Sequence, residues 1–224
     1  MLQSICIQGE FQLELFYAQS IADCTSVEKG YLFLEAARNL LLITLNKANK
    51  ALQAFPYLDN YFDLIHLELN NLAAVSKAIQ RVIFIGSGPL PLTSLCFSKF
   101  QKDLACSRIS FLNIDRDPQA IRLSQAVCTS LGETEIEFRC EDANWLRQTD
   151  LSVFDLVFLG AAVGNTSADK LDIVSKLTRR MGFGARLIVR STSGLKTLLY
   201  PVGNPQLWHF DEEADVSTVP RACH

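Results

Sequence analysis

Val82-Ile83-Phe84-Ile85-Gly86-Ser87-Gly88-Pro89-Leu90-Pro91 decides the fold. A short unbroken apolar run ending in glycine reads as a parallel strand buried on both faces. The glycines behind it allow the backbone to turn tightly and to approach a ligand closely. Pro91 stands where a dinucleotide fingerprint has its third glycine. A proline-stiffened turn is a poor cradle for a pyrophosphate and suits a nucleoside carrying no phosphate. Taken alone, G-x-G also serves as an ordinary strand–helix turn, so its neighbours have to decide.

Working downstream, the same pattern recurs. Ile109 to Ile114 is a second apolar run, followed by Asp115-Arg116-Asp117-Pro118, in which Asp117 can cap a helix with Pro118 at its first position. Glu135 to Arg139, Leu156 to Leu159 and Ala185 to Arg190 supply a third, fourth and fifth strand. Thr166 or Ser167 caps a helix running to about Met181, and Gly182 and Gly184 end it. Strands alternating with helices of this length imply right-handed βαβ units and a parallel sheet with helices on both faces. The expected fold class is α/β, a Rossmann-like, methyltransferase-type sheet of order 3-2-1-4-5.

Upstream, residues 1–80 read as helical. Thr25 and Glu28 have capping-box spacing before a periodic stretch that ends near Ala54, and Pro56 stops it. A second helix should cover Asp59 to Lys77. The chain therefore divides into a helical N-terminal cap, 1–80, and a sheet unit, 81–224. Beyond the turn-like Tyr200-Pro201-Val202-Gly203-Asn204-Pro205 the pattern weakens. The acidic run Asp211 to Asp215 reads as a solvated loop, and nothing after it reads as a strand covering the fifth strand. An uncovered edge is a pairing hazard, so self-association into a homo-oligomer, or slow opening at that edge, is expected.

Composition narrows the function. The 224 residues are 49% hydrophobic and 20% charged, ample for a core and unlike a disordered chain. Lys and Arg number 21 against 24 Asp and Glu, a net charge of −3. No basic field exists to hold nucleic acid. The first basic residue is Lys29, so the positive region of a secretory signal is missing. The densest apolar run, Leu40 to Leu45, falls far short of the ~20 residues that span a membrane. Seven cysteines without a C-x-x-C fit a reduced, cytoplasmic setting. His66, His209 and His224 share no ligand spacing with one another or with the cysteines, so no metal is expected.

The acids mark a site. Asp115 closes the second strand, and open α/β sheets bind ligands outside the carboxyl ends of their strands. There it can accept both ribose hydroxyl protons. Glu141-Asp142-Ala143 follows the third strand, where Asp142 can accept from an adenine amino group. Gly-rich turn, strand-two acid and strand-three acid together describe a site for S-adenosylmethionine. Gly86, Ser87, Gly88, Pro89, Asp115, Asp117, Asp142, Ala143 and Ala161 are its expected residues, although Asp117 can equally be only the cap. In the helix before the sheet, Glu68 is out of place. It is four residues from Leu64 and from Leu72, on the apolar stripe that also holds Tyr61 and Ile65.

Phe55-Pro56-Tyr57-Leu58-Asp59-Asn60-Tyr61, Leu67-Glu68, and Val82 through Pro91-Leu92-Thr93-Ser94 closely resemble nicotianamine synthases. So do Asn113-Ile114-Asp115-Arg116-Asp117-Pro118, Phe154 to Leu159, Ala162-Val163-Gly164, Arg190-Ser191 and Leu199-Tyr200-Pro201. The resemblance spans about residues 55–201, and G-S-G-P-L-P-L-T-S is highly specific. It implies condensation of three S-adenosylmethionine molecules by aminocarboxypropyl transfer, release of methylthioadenosine and closure of an azetidine ring. The product chelates transition metals, hence a role in metal homeostasis, with a small molecule as the partner and no membrane. All three carbons on a sulfonium are electrophilic, so positioning decides which reacts.

The resemblance also makes Glu68 the catalytic candidate, orienting the attacking amine and taking its proton. The alternative is a lid-helix carboxylate paired with a nearby Arg or Lys. Tyr61 is assigned to the substrate cavity or to core packing. Arg190 grips a substrate carboxylate or joins an ion pair. Plant members carry a longer helical region before F-P-Y, so part of the N-terminal domain is expected to be absent or replaced. Members also finish with a sheet-completing segment containing an N-S-V-V-type strand, whereas this chain closes instead with Asp215-Val216-Ser217-Thr218-Val219-Pro220-Arg221-Ala222-Cys223-His224. A small-molecule methyltransferase and a catalytically degenerate binding protein are the competing functions.

Overall fold

The computed structural model describes residues 2–25, 34–73, 79–103, 109–191 and 215–217. Strands β1 (Arg81–Ile85), β2 (Ser110–Asp115), β3 (Ile136–Cys140), β4 (Leu156–Leu159), β5 (Arg186–Val189) and β6 (Asp215–Ser217) form one sheet of order β3-β2-β1-β4-β5-β6. Every neighbouring pair is parallel. The expected order is present, with one strand more.

β6 corrects the reading of the chain's end. Asp215, placed in a solvated loop by the sequence, pairs with Arg186, and Ser217 pairs with Ile188. The edge of β5 is covered, which removes the ground for expecting self-association through it. Three residues are too short to show a strand period, and the pairing is with a partner distant in sequence. Residues 200–205 and 211–214 lie outside the described residues.

Helices α1 (Leu2–Ala22), α2 (Leu34–Gln53), α3 (Leu58–Ala73), α4 (Leu92–Asp103), α5 (Pro118–Ser130) and α6 (Ser167–Thr178) cover the sheet. The periodic stretch before Pro56 is α2, which ends one residue short of Ala54. Glu28, half of the expected capping box, lies outside the described residues, as does the expected end of α3 at Lys77. Asp117 accepts from Gln119 N–H at 2.8 Å with Pro118 at the helix start. Thr166 and Asp169 cap each other's backbone reciprocally at the start of α6.

Alternation along the strands divides the core. Val82, Phe84, Phe111, Phe158 and Ile188 point to one side and join Ala18 and Ile21 of α1, Ala48 of α2, Ile65 of α3 and Phe97 of α4. The Phe84 and Phe158 rings stack there, 4.7 Å between centroids. Ile83, Ile85, Ile114, Val157 and Leu159 point to the other side, against Ile173, Val174 and Leu177 of α6. Register then sets the site. Ile85 lies beside Ile114 and Leu159, so the carboxyl ends of β1, β2 and β4 are flush. Gly86, Asp115 and Gly160 emerge side by side.

Candidate active site

The flush strand ends open into a cavity of about 550 Å³, within the ~300–1,000 Å³ usual for small-molecule sites. Gly86 makes its near wall possible. It has φ +79°, and a Cβ there would collide with Val163 Cγ2. Gly86 and Ser87 N–H both donate to Ile114 O, at 2.8 and 3.1 Å. The turn is thereby bound to β2. Gly86, Ser87 and Gly88 line the cavity, as do Asp115, Asp117, Asp142, Ala143 and Ala161. Pro89 does not. It is buried within the turn, and Leu90, Pro91, Thr93 and Ser94 reach the wall instead.

Asp115 has two tasks. Its Oδ2 accepts from Gly88 N–H and its Oδ1 from Asp117 N–H, each at 2.9 Å. A carboxylate offers roughly four acceptor positions, so lone pairs remain for a ligand's hydroxyls. Asp142 holds its own turn through Asn144 N–H and Nδ2–H, at 2.8 and 3.0 Å. Ser87 Oγ is buried without a hydrogen-bond partner among the described residues, an unmet polar group that a bound molecule would satisfy.

At the deep end Glu68 and Arg190 meet. Arg190 Nε donates to Glu68 Oε1 and Nη2 to Oε2, both at 2.9 Å, a two-pronged pair. Nη1 donates to Thr93 Oγ1 at 2.5 Å. The guanidinium carbon lies 5.9 Å from the centre of the Tyr61 ring and 5.5 Å from that of Phe158. Tyr61, Thr93 and Arg190 face the cavity, whereas Glu68 is fully buried and is not part of its wall. Glu68 therefore stands behind Arg190. The ion-pair alternative is the arrangement found, for both residues. Of the five N–H bonds on a guanidinium, three are engaged among the described residues, which leaves two for a ligand.

A family model described as "Nicotianamine synthase protein" matches residues 16–219. This chain belongs to the nicotianamine synthase family. It is 35% identical to a nicotianamine synthase of Solanum lycopersicum, over 77% of this chain and 54% of that protein. It is 36% identical to nicotianamine synthase 3 of Arabidopsis thaliana, over 69% and 48%. The chain thus spans about half the length of the curated relatives it matches. The crystal structure of MtNAS in complex with MTA and tNA has a TM-score of 0.65 at 20% identity, covering 92% of this chain and 64% of that one. A putative S-adenosyl-L-methionine-dependent methyltransferase from Methanococcus maripaludis has a TM-score of 0.50 at 17% identity, over 78% and 70%. Both share the fold.

In this nicotianamine synthase family member, two parts of the site escaped the sequence. One is α1, whose Phe11 and Glu14 line the cavity. Glu14 approaches the Gly-rich turn so closely that a Cβ on Gly88 would lie 2.6 Å from its Oε2. No local pattern links a helix end to end with a turn so far along the chain. The other is Lys170, which has no exposed surface. Its Nζ donates to Gly160 O at 3.0 Å and Ala161 O at 2.7 Å. It had a signal: Lys170, Ile173, Val174 and Leu177 share one helical stripe, the logic that singled out Glu68. Among the described residues no three His, Cys, Asp or Glu side chains are grouped to hold a metal ion, and no helix is long and apolar enough to cross a membrane.

Burial pushes the Lys170 ammonium down from 10.5 to about 7. Between those values the unfolded chain holds a proton that the folded chain has released, so stability rises with pH across that window. The limiting slope is ~1.4 kcal/mol per pH unit. Cys96 acts oppositely above its ordinary 9.0, because burial pushes its thiol up to about 12. Melting temperature should therefore climb from pH 7.5 to 9, and Lys170→Met should climb less steeply. Equal slopes in both proteins would show that Lys170 is not the source.

Proposed function

We propose that this chain transfers aminocarboxypropyl groups from S-adenosylmethionine to an α-amine, making nicotianamine and releasing methylthioadenosine. The observation that carries this reading is the single cavity running from the Gly86–Gly88 turn and Asp115 to Arg190. One end suits a nucleoside, with Asp115 on the ribose hydroxyls, Asp142 on the base and Ser87 Oγ gaining a partner. The other end suits an α-amino acid, with two N–H bonds of Arg190 for its carboxylate and the Tyr61 ring beside it. The helices of residues 1–80 act as a cap over this cavity, Tyr61 coming from α3 and Glu14 from α1.

In the transfer, the amine lone pair forms a bond to the carbon γ to the carboxylate. The C–S bond breaks, sulfur keeps the electron pair, and a neutral thioether nucleoside leaves. The amine must shed a proton. Glu68 lies one guanidinium away from the cavity and becomes available to take that proton when a ligand carboxylate draws Arg190 toward itself. Aiming the γ carbon rather than the methyl at the amine is a matter of position, and holding reactants in place is worth several kcal/mol of barrier. Buried thiols at Cys96 and Cys128, neither in a disulfide, suit a reducing cytoplasm, where a metal-chelating product would serve metal homeostasis.

Mass spectrometry of the purified protein incubated with S-adenosylmethionine tests this. Methylthioadenosine together with nicotianamine is the expected result. S-adenosylhomocysteine in their place would mean methyl transfer. Binding with no product at all would mean a binding protein.

A further inference from the structure

Lys170 is the one fully buried cation of the described structure whose hydrogen bonds go to peptide carbonyls and to no carboxylate. A buried ammonium is costly, and here its setting assigns it a task. Gly160 to Val163 closes as a turn, with Val163 N–H donating to Gly160 O at 3.2 Å. Lys170 Nζ draws the carbonyls of Gly160 and Ala161 to the same side. The peptides here are trans, and in a trans peptide the N–H points opposite to the carbonyl of its own plane. The N–H groups of Ala161 and Ala162 therefore project together, away from the ammonium. Both residues line the cavity, and neither N–H has a hydrogen-bond partner among the described residues.

Two parallel N–H donors, aligned through their peptides by the hydrogen bonds of Lys170 Nζ and polarised further wherever that amine is protonated, make an anion-accepting concavity. The acids of α6 that border the cavity are engaged elsewhere, Asp169 with Thr166 N–H and Asp172 with Lys176. We propose that the Gly160–Val163 turn, braced by Lys170, binds the carboxylate of the ligand's amino-acid moiety, as a site separate from Arg190. This rests on the proposed S-adenosylmethionine reading and extends it. Aminocarboxypropyl transfer brings two carboxylates into one cavity, the donor's and the acceptor's. Arg190 and the braced turn supply one landing point for each.

The test compares two probes that differ by one carboxylate, S-adenosylmethionine and decarboxylated S-adenosylmethionine, by calorimetry. Wild-type protein should favour the first by ~10-fold, as expected for charge-assisted hydrogen bonds. Lys170→Met should shrink that preference to within ~3-fold while leaving affinity for the decarboxylated probe within ~2-fold. Ala161→Pro provides a second variant that leaves Lys170 in place. It deletes one N–H at the first central position of the turn, where proline is well accommodated, and should likewise shrink the preference for the carboxylated probe. A preference kept in both variants, or equal weakening of both probes, overturns the proposal; equal weakening makes Lys170 a tether for the loop only. If both probes bind wild type equally, this inference alone falls. If neither binds wild type, the nucleoside reading falls and takes the inference with it.

Discussion

Glu68→Gln should lower turnover ~10²–10⁴-fold, the usual loss on removing a positioned general base. Gln matches Glu in shape and nearly in helix propensity, so α3 should persist. The substitution keeps one carbonyl for Arg190 and puts an amide NH₂ where the second oxygen accepted Nη2. A buried pair that loses one of its charges is destabilised, by ~3–5 kcal/mol when the partner is removed outright and by less when an isostere remains. Since ~1 kcal/mol moves the melting temperature of a chain this size ~2–4 °C, some lowering is expected whatever Glu68 does. Melting temperature therefore cannot decide its role. The deciding quantity is methylthioadenosine release per folded molecule, measured well below the transition. Near-normal release there would leave Glu68 as the residue that holds Arg190, with no part in proton transfer.

Asp115→Ala should weaken S-adenosylmethionine binding by on the order of 1.5–3 kcal/mol, roughly a 10- to 150-fold loss of affinity. Two effects add. The ligand's hydroxyls lose a charged acceptor, and Gly88 and Asp117 N–H lose the oxygens that fix the turn. Asp115→Asn separates them, because the amide keeps one oxygen for the turn and gives up the charge. A smaller loss for Asn than for Ala is expected in calorimetry. Unchanged affinity in Asp115→Ala would take Asp115 out of the ligand site and leave it as the carboxylate that shapes the Gly-rich turn.

Local patterns carried the reading a long way. Val82 to Ile85 form β1 and the glycines behind it turn where a ligand can approach. Leu156–Leu159 is the fourth strand to the residue. Asp117 and Thr166 cap α5 and α6, since a cap is made by a side chain and a backbone only two or three residues away. The acid at the end of β2 lies at the cavity because strand order and register follow from βαβ handedness. Pro89 shows the limit of such reasoning. It belongs to the motif but not to the wall, since a motif names a turn without saying which of its residues faces outward.

The sequence by itself determined the first five strands and their order, the Gly-rich turn, and the presence of misplaced charges such as Glu68, because each depends on periodicity or chemistry within a few residues. Tertiary structure alone decided which of those charges meet. Glu68 and Arg190 are 122 positions apart, and either could have been read as facing substrate. Only the docking of α3 against the carboxyl edge of the sheet makes them partners and sets Glu68 behind Arg190. The same holds for Glu14 over Gly88 and for β6 against β5. Desolvation and hydrogen-bond geometry act between groups that folding brings together, and no window of sequence contains both members of such a pair.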